Sequence, residues 1–268
     1  MLTGENVKPG TLLNSSLGFD TIKNGHTYEK FKMPPLTANI LAGGAALGAT
    51  GDINLLQFQH NTFQEHLKGA GQTIITPVVS AYGLDISHDL VSTEGSELNQ
   101  GIHSNAKHAY TIGTDGPFFV RAKIKPADAS GCNPLVVGFR LAEAHQAAIA
   151  NYDTYAYLGI VGTSNPNLIK AVSELAGAGA VTTDTLLTWA DAAVKDLRVE
   201  VSAKGVVTYS VNGLPCTIPN ALKLTLTSGI VVVPFLFFLH AATSPGLIHL
   251  VEWECGLVPQ NRAKRIKA

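Results

Sequence analysis

Two carboxylates draw attention first. In "VEWEC", Glu252 and Glu254 are two positions apart, and in a strand that spacing puts both on one face. Paired carboxylates on one face can act as general acid and nucleophile in glycoside cleavage, about 5 Å apart when configuration is retained. The same alternation turns Val251, Trp253 and Cys255 the other way, and a third acid is missing because position 257 is Leu257. The polar outer face of an exposed strand accounts for the pair without chemistry. No catalytic residue is assigned, and the chain is expected not to be an enzyme.

Sugar binding without cleavage needs an aromatic platform with polar neighbours. Tyr152, Tyr155 and Tyr157 qualify by type, with Trp189 and Trp253; Tyr155, Tyr157 and Trp253 make the expected platform. Aromatics in strands also serve as core. The nine histidines are His26, His60, His66, His88, His103, His108, His145, His240 and His249. None falls in an H-x-H, HExxH or mixed His/Cys cluster, so no metal is expected. No calcium loop of the D-x-D-x-D-G type and no G-x-S-x-G elbow occurs, and "LAGGAALGATG" lacks the Lys-Ser/Thr of a phosphate loop. No cofactor is expected.

The chain has 268 residues, 46% hydrophobic and 15% charged, with a net charge of −1. So little charge points to a large buried core or to subunits that cover one another. It also excludes a global field for nucleic acid or membrane. The local exception is "NRAKRIKA", where Arg262, Lys264, Arg265 and Lys267 form a basic tail over residues 259–268. That tail is a solvated end or an arm for an acidic partner. Cys132, Cys216 and Cys255 are odd in number and far apart, so buried free thiols are expected. The first residues lack the basic start and apolar core of a signal peptide. The most apolar run, 229–239, is too short to span a bilayer. A soluble protein made in a cytoplasm is expected.

Residues 1–77 keep no lasting apolar period and read as an extended arm. One short helix is expected there over 61–68, with Asn61 as cap, Gln64 completing a capping box and Gly69 as stop. Residues 78–258 read as a β-sandwich. "FFVRAKIKP", "NPLVVGFRL", "YAYLGIVG", "GIVVVPFLFFLHA" and "LIHLVEWECGLV" are strands separated by turn residues. In "LRVEVSAKGVVTYSVNG", two alternating runs meet at Lys204-Gly205 and the second turns on Asn212-Gly213, a hairpin signature. "RLAEAHQAAIANYD" reads as a short helix between strands. "NPNLIKAVSELAGAGAV" fits a helix or a strand, and its β surroundings favour the strand. The run Ile230–Leu239 is apolar on both faces and must be covered on both. The arm or a neighbouring subunit could cover it, which makes Val232, Phe235 and Phe237 candidate interface residues.

The hairpin carries a resemblance. Leu197, Val199 and Val201 run into Gly205, Val207, Tyr209, Asn212 and Gly213. This L-x-V-x-V, G-x-V-x-Y-x-x-N-G order resembles concanavalin-A-like sandwiches of the laminin-G and jelly-roll type. The stretch from about 110 to 258 also resembles virion structural proteins of tailed bacteriophages. The resemblance implies an antiparallel, mainly β sandwich. Its glycosidase members carry E-x-D-x-x-E, which Glu252 and Glu254 match only in part.

The absent catalytic motifs, the low charge fraction, the irregular first quarter and the doubly apolar run Ile230–Leu239, beside that resemblance, point to binding rather than chemistry, in a capsid decoration or cement protein located in the virion. Its partners would be its own subunits, with a trimer as one form, and the major capsid protein or another virion protein. A single jelly-roll capsid or tail subunit differs in position only. A glycan-binding, receptor-binding module is the alternative from another class. Neither membrane nor nucleic acid is an expected partner.

Overall fold

The structure, a computed structural model, describes residues 27–30, 37–41, 53–58, 62–69, 78–88, 90–100, 108–162, 166–241 and 246–258. Within them the chain forms two antiparallel sheets and no α-helix. No helix there is long and apolar enough to cross a membrane. Arg262, Lys264, Arg265 and Lys267 lie outside the described residues.

Sheet I runs in the order β16 (Leu214–Pro215), β15 (Val207–Val211), β14 (Lys195–Val201), β9 (Phe118–Pro126), β18 (Ile248–Leu257), β6 (Gly83–Asp85) and β5 (Val79–Ser80). A further strand, β1 (Thr27–Lys30), pairs with the far part of β18. Sheet II runs β13 (Val181–Thr188), β12 (Leu168–Glu174), β11 (Tyr155–Ile160), β10 (Cys132–Leu141), β17 (Val231–His240), β7 (Gly95–Asn99), β4 (Thr62–Lys68), β3 (Ile53–Gln57) and β2 (Thr37–Leu41). The short β8 (Tyr110–Thr111) extends the pairing of β17.

Alternation builds the core. Phe118, Val120, Ala122 and Ile124 of β9 face Leu135, Val137 and Phe139 of β10 across the interior, all fully or almost fully buried. The expected hairpin forms as β14 and β15, with Val199 opposite Tyr209. Gly205 at φ 82° and Gly213 at φ 77° make the two turns. Cys132 and Cys255 are buried free thiols and Cys216 is half-buried.

Four expectations change. Residues 62–68 form strand β4 between β3 and β7, not a helix. Phe63 and Leu67 share a face in either conformation, and pairing on both sides decides for the strand. Three more stretches of the first quarter, β1 to β3, also pair into the sheets. The alanine-rich stretch after β10 is a loop with one short 3-10 turn at Ile149–Asn151. A bulge in β18 makes Val251 an extra residue, so Leu250 and Trp253 both face the core.

β17 is covered on both faces, as its composition requires, but from within this chain. Val232, Leu236 and Phe238 face the core between the sheets. Phe235 and Phe237 face the other way, in a second cluster with Val136, Tyr152, Tyr155, Tyr157 and Val172. Val232, Phe235 and Phe237 are at most 1% exposed, so they offer no surface to a second subunit.

Gly138, like Gly95 and Gly159, marks a close backbone approach in sheet II. A Cβ there would collide with the Ala156 carbonyl oxygen and with Tyr157 across the β10–β11 pairing. Gly138→Ala is expected to lower the unfolding free energy by about 1–3 kcal/mol, read from urea denaturation. An unchanged midpoint would mean that the strands separate without cost.

Candidate functional site

The carboxylates in "VEWEC" sit on the outer face of sheet I and are tied down. Arg121 lies between three acids: Nη2 is 2.7 Å from Asp196 and 3.3 Å from Glu252, and Nη1 is 3.1 Å from Glu254. Lys123 adds a contact to Glu252 at 3.0 Å. Burial alone would lower the Arg121 pKa, but Asp196, Glu254 and Glu252 raise it further above the usual guanidinium range. This is a charge ladder across three strands, in which each of the three carboxylates contacts Arg121.

The expected aromatic platform is not open either. Trp253 is fully buried between the sheets, where its indole N–H donates to Gln100 Oε1 at 2.8 Å. Trp189 is also fully buried and donates to the Ala193 carbonyl. Tyr155 and Tyr157 do share the outer face of sheet II, stacked at 5.2 Å, but are only 2% and 5% exposed. The Tyr155 hydroxyl donates to Glu174 at 2.6 Å.

What the structure brings together instead is a polar cluster on that outer face. Strand alternation turns Gln64, His66 and Lys68 of β4 outward, beside Glu97 and Asn99 of β7. Arg140 of β10 reaches Glu97 Oε1 through Nε at 2.8 Å and Nη2 at 2.7 Å. Lys68 Nζ lies 3.2 Å from Glu97 Oε2, to which the Tyr152 hydroxyl donates at 2.5 Å. Glu97, Lys68 and Arg140 are all fully buried.

The loop from Ala142 to Thr154 forms a flap over this cluster. Its Gln146 carbonyl accepts from Lys68 at 2.7 Å, and its His145 ring stacks on His66 at 4.1 Å. Arg140 also sits over the Tyr152 ring, 4.3 Å from its centroid.

The charges explain the protonation states. Burial would raise the Glu97 carboxyl, but Arg140, Lys68 and the Tyr152 hydrogen bond outweigh it and hold it near 2. Burial pulls Lys68 down to about 8 against the attraction of Glu97. Burial, with neighbouring positive charge, lowers His66 to about 3 and His145 to about 4, so both rings are neutral. Among the described residues no group of three or more His, Cys, Asp or Glu side chains is placed to hold a metal.

Sequence reasoning missed Gln64, His66 and Lys68 because it read their segment as a helix. It did not single out Glu97, Asn99 or Arg140. The available signal was the polar alternation in "QEHLK" and "ELN".

No protein-family model matches this chain, and no curated protein matches it. Solved structures do match in shape. A mutant of the carbohydrate recognition domain of Emp46p aligns with TM-score 0.50 and 9% identity, over 72% of this chain and 89% of that chain. The CBM2 module of the evolved Dit of Lactobacillus casei BL23 phage J-1 aligns with TM-score 0.46 and 11% identity, over 88% and 99%. An alginate lyase of Pseudomonas aeruginosa aligns with TM-score 0.45 and 13% identity, over 68% and 86%. The fold is an antiparallel β-sandwich. At these identities the likeness concerns the fold alone.

Two predictions follow from the cluster's charges. Glu97→Gln leaves Lys68 and Arg140 without their shared carboxylate and should cost about 3–5 kcal/mol, read by chemical denaturation at neutral pH. Acid should also weaken the fold in two stages. The histidines, ordinarily near 6.5, protonate first in the unfolded chain, so stability falls as pH drops below 6.5 toward 4 and 3. The Glu97 contribution is complete above its ordinary 4.5 and is lost as pH falls toward 2. His145→Phe, which keeps the stacked ring, should make the upper stage of a stability–pH curve shallower and leave the His66 share in place. A wild-type slope there would place the proton uptake elsewhere.

Proposed function

We propose that this chain is a non-enzymatic structural protein of a bacteriophage virion, acting as a capsid decoration or cement protein through contacts between subunits. The observation that carries the reading is the outer edge of sheet II. β13 pairs with β12 and with no other described strand. Its eight residues include one charge, Asp184, and neither Lys nor Pro. Val181 is 39% exposed, Leu186 86% and Leu187 38%.

An unpaired edge offers a row of N–H and C=O groups to another chain. Monomeric proteins commonly blunt such an edge with Lys or Pro. β13 instead carries an exposed Val181 in its paired part and exposed Leu186 and Leu187 in a bulge opposite Ile169. Strand addition at this edge, repeated by symmetry, would join copies of the chain or attach it to another virion protein. The binding reading is further supported by the state of the acids: Glu252 and Glu254 are held by Arg121, and Glu97 by Arg140 and Lys68.

A glycan-binding module is the second reading. It is favoured by buried polar atoms of Gln64, His66 and Asn99 that have no hydrogen-bond partner.

Light scattering on the full chain tests the first reading. A defined oligomer is expected. Val181→Lys combined with Leu186→Lys should release monomers whose melting temperature matches that of the separated parent subunits. A parent protein that is monomeric at every concentration removes subunit contact from the mechanism.

A further inference from the structure

Three polar side chains on the outer face of sheet II lack something to bind. Gln64 and Asn99 are directly opposite each other across β4 and β7, and His66 follows two positions along β4. They are 3%, 0% and 4% exposed. Asn99 Nδ2 donates to Glu97 Oε1 at 3.3 Å. A carboxylate held ionised can only accept, so this contact fixes the amide and turns Asn99 Oδ1 away. Asn99 Oδ1, Gln64 Oε1 and His66 Nδ1 have no hydrogen-bond partner. Buried polar atoms are nearly always paired, so three orphans on neighbouring positions require a cause.

Their surroundings name the chemistry. In the next strand Phe235 stands opposite Asn99, and Tyr157 meets its ring edge-on at 6.5 Å. The strip therefore has acceptors at one end and a buried aromatic ring, packed against Tyr152 of the flap, at the other. The two amide oxygens call for donors. An anionic ligand supplies only acceptors and would also meet Glu97. An ammonium group would meet Lys68 and Arg140. A ring of hydroxyl groups with an apolar face satisfies both ends.

We infer that Gln64, His66, Asn99 and Phe235 form a subsite for a neutral sugar ring, covered at His66 by His145 and at Phe235 by Tyr152 of the Ala142–Thr154 flap. The inference deepens the glycan reading and rests on it, independently of β13. The flap is the part that must lift. It is held to the strip's edge by the Tyr152–Glu97 hydrogen bond, the Lys68–Gln146 hydrogen bond and the His145–His66 stack. On its far side Ala142, Ala144, Ala147, Ala150 and Asn151 face solvent.

The test uses the full chain on an array of neutral and acidic oligosaccharides, beside Gln64→Leu and Asn99→Leu, with melting temperatures of all three. The parent should bind neutral glycans. Each variant should bind about tenfold more weakly, the equivalent of one hydrogen bond. Gln64→Leu should at the same time melt about 2–4 °C higher, because an unpaired buried oxygen is gone. If the parent binds and both variants bind equally well, the subsite is overturned while the glycan reading stands. If Gln64→Leu melts lower, the oxygen was already satisfied and the subsite is overturned. If the parent binds only acidic glycans, the ligand class is overturned. If it binds none, subsite and glycan reading fall together.

Discussion

One buried carboxylate organises the face that distinguishes this sandwich. Glu97 holds Arg140 of β10, Lys68 of β4 and the Tyr152 hydroxyl of the flap. Three separate stretches of sheet II and its cover thereby meet at one group. The desolvation of three ions is large, and two cations sharing one carboxylate repay it only while every contact is in place. The arrangement also explains the neutral histidines. Burial keeps both imidazoles uncharged, and the positive charge of Lys68 and Arg140 beside them acts in the same direction. The flap can therefore pack an imidazole pair against the ions without adding charge.

Burial of β17 on both faces follows from the same construction. Its inner residues meet sheet I across the core, and its outer residues Phe235 and Phe237 lie under the cluster and the tyrosines. Lys68 Nζ is 4.9 Å from the Phe237 ring centroid, so the ion cluster rests directly on the aromatic layer. A continuous apolar run signals two covers, but it does not say whose. The cover is the loop between β10 and β11, a local segment that returns over its own sheet.

The sequence was legible wherever alternation and glycine turns agreed. The β14–β15 hairpin carries period two on both arms and positive φ at Gly205, Asn212 and Gly213. The strands β9, β10 and β11 read equally well, and 168–174 became the strand its surroundings favoured. Residues 61–68 misled because a spacing of four, Phe63 to Leu67, satisfies a helix and a strand alike. The cap-like Asn61 and Gln64 then favoured the helix. Pairing with β3 and β7 on both sides is a long-range fact that no local window contains. That error hid half the candidate site, since Gln64, His66 and Lys68 share a face only as a strand. The bulge at Val251 is another non-local feature, because period two continues through "VEWEC" in the sequence and breaks in the sheet.

The two outer faces use the same residue types to different ends. On sheet I the Arg121 ladder is partly solvated, with side chains 9–31% exposed. Water screens such pairs, and each contributes little, about 0–1 kcal/mol. Most substitutions there should leave the fold intact, and the face carries little information. On sheet II the charges are fully desolvated, so geometry and partner identity both matter. A region that keeps unpaired amide oxygens beside such a cluster is less stable than an apolar face of the same shape would be. A binding role for those oxygens gives that cost a reason, and it locates specificity on sheet II rather than on the acids that the sequence made most visible.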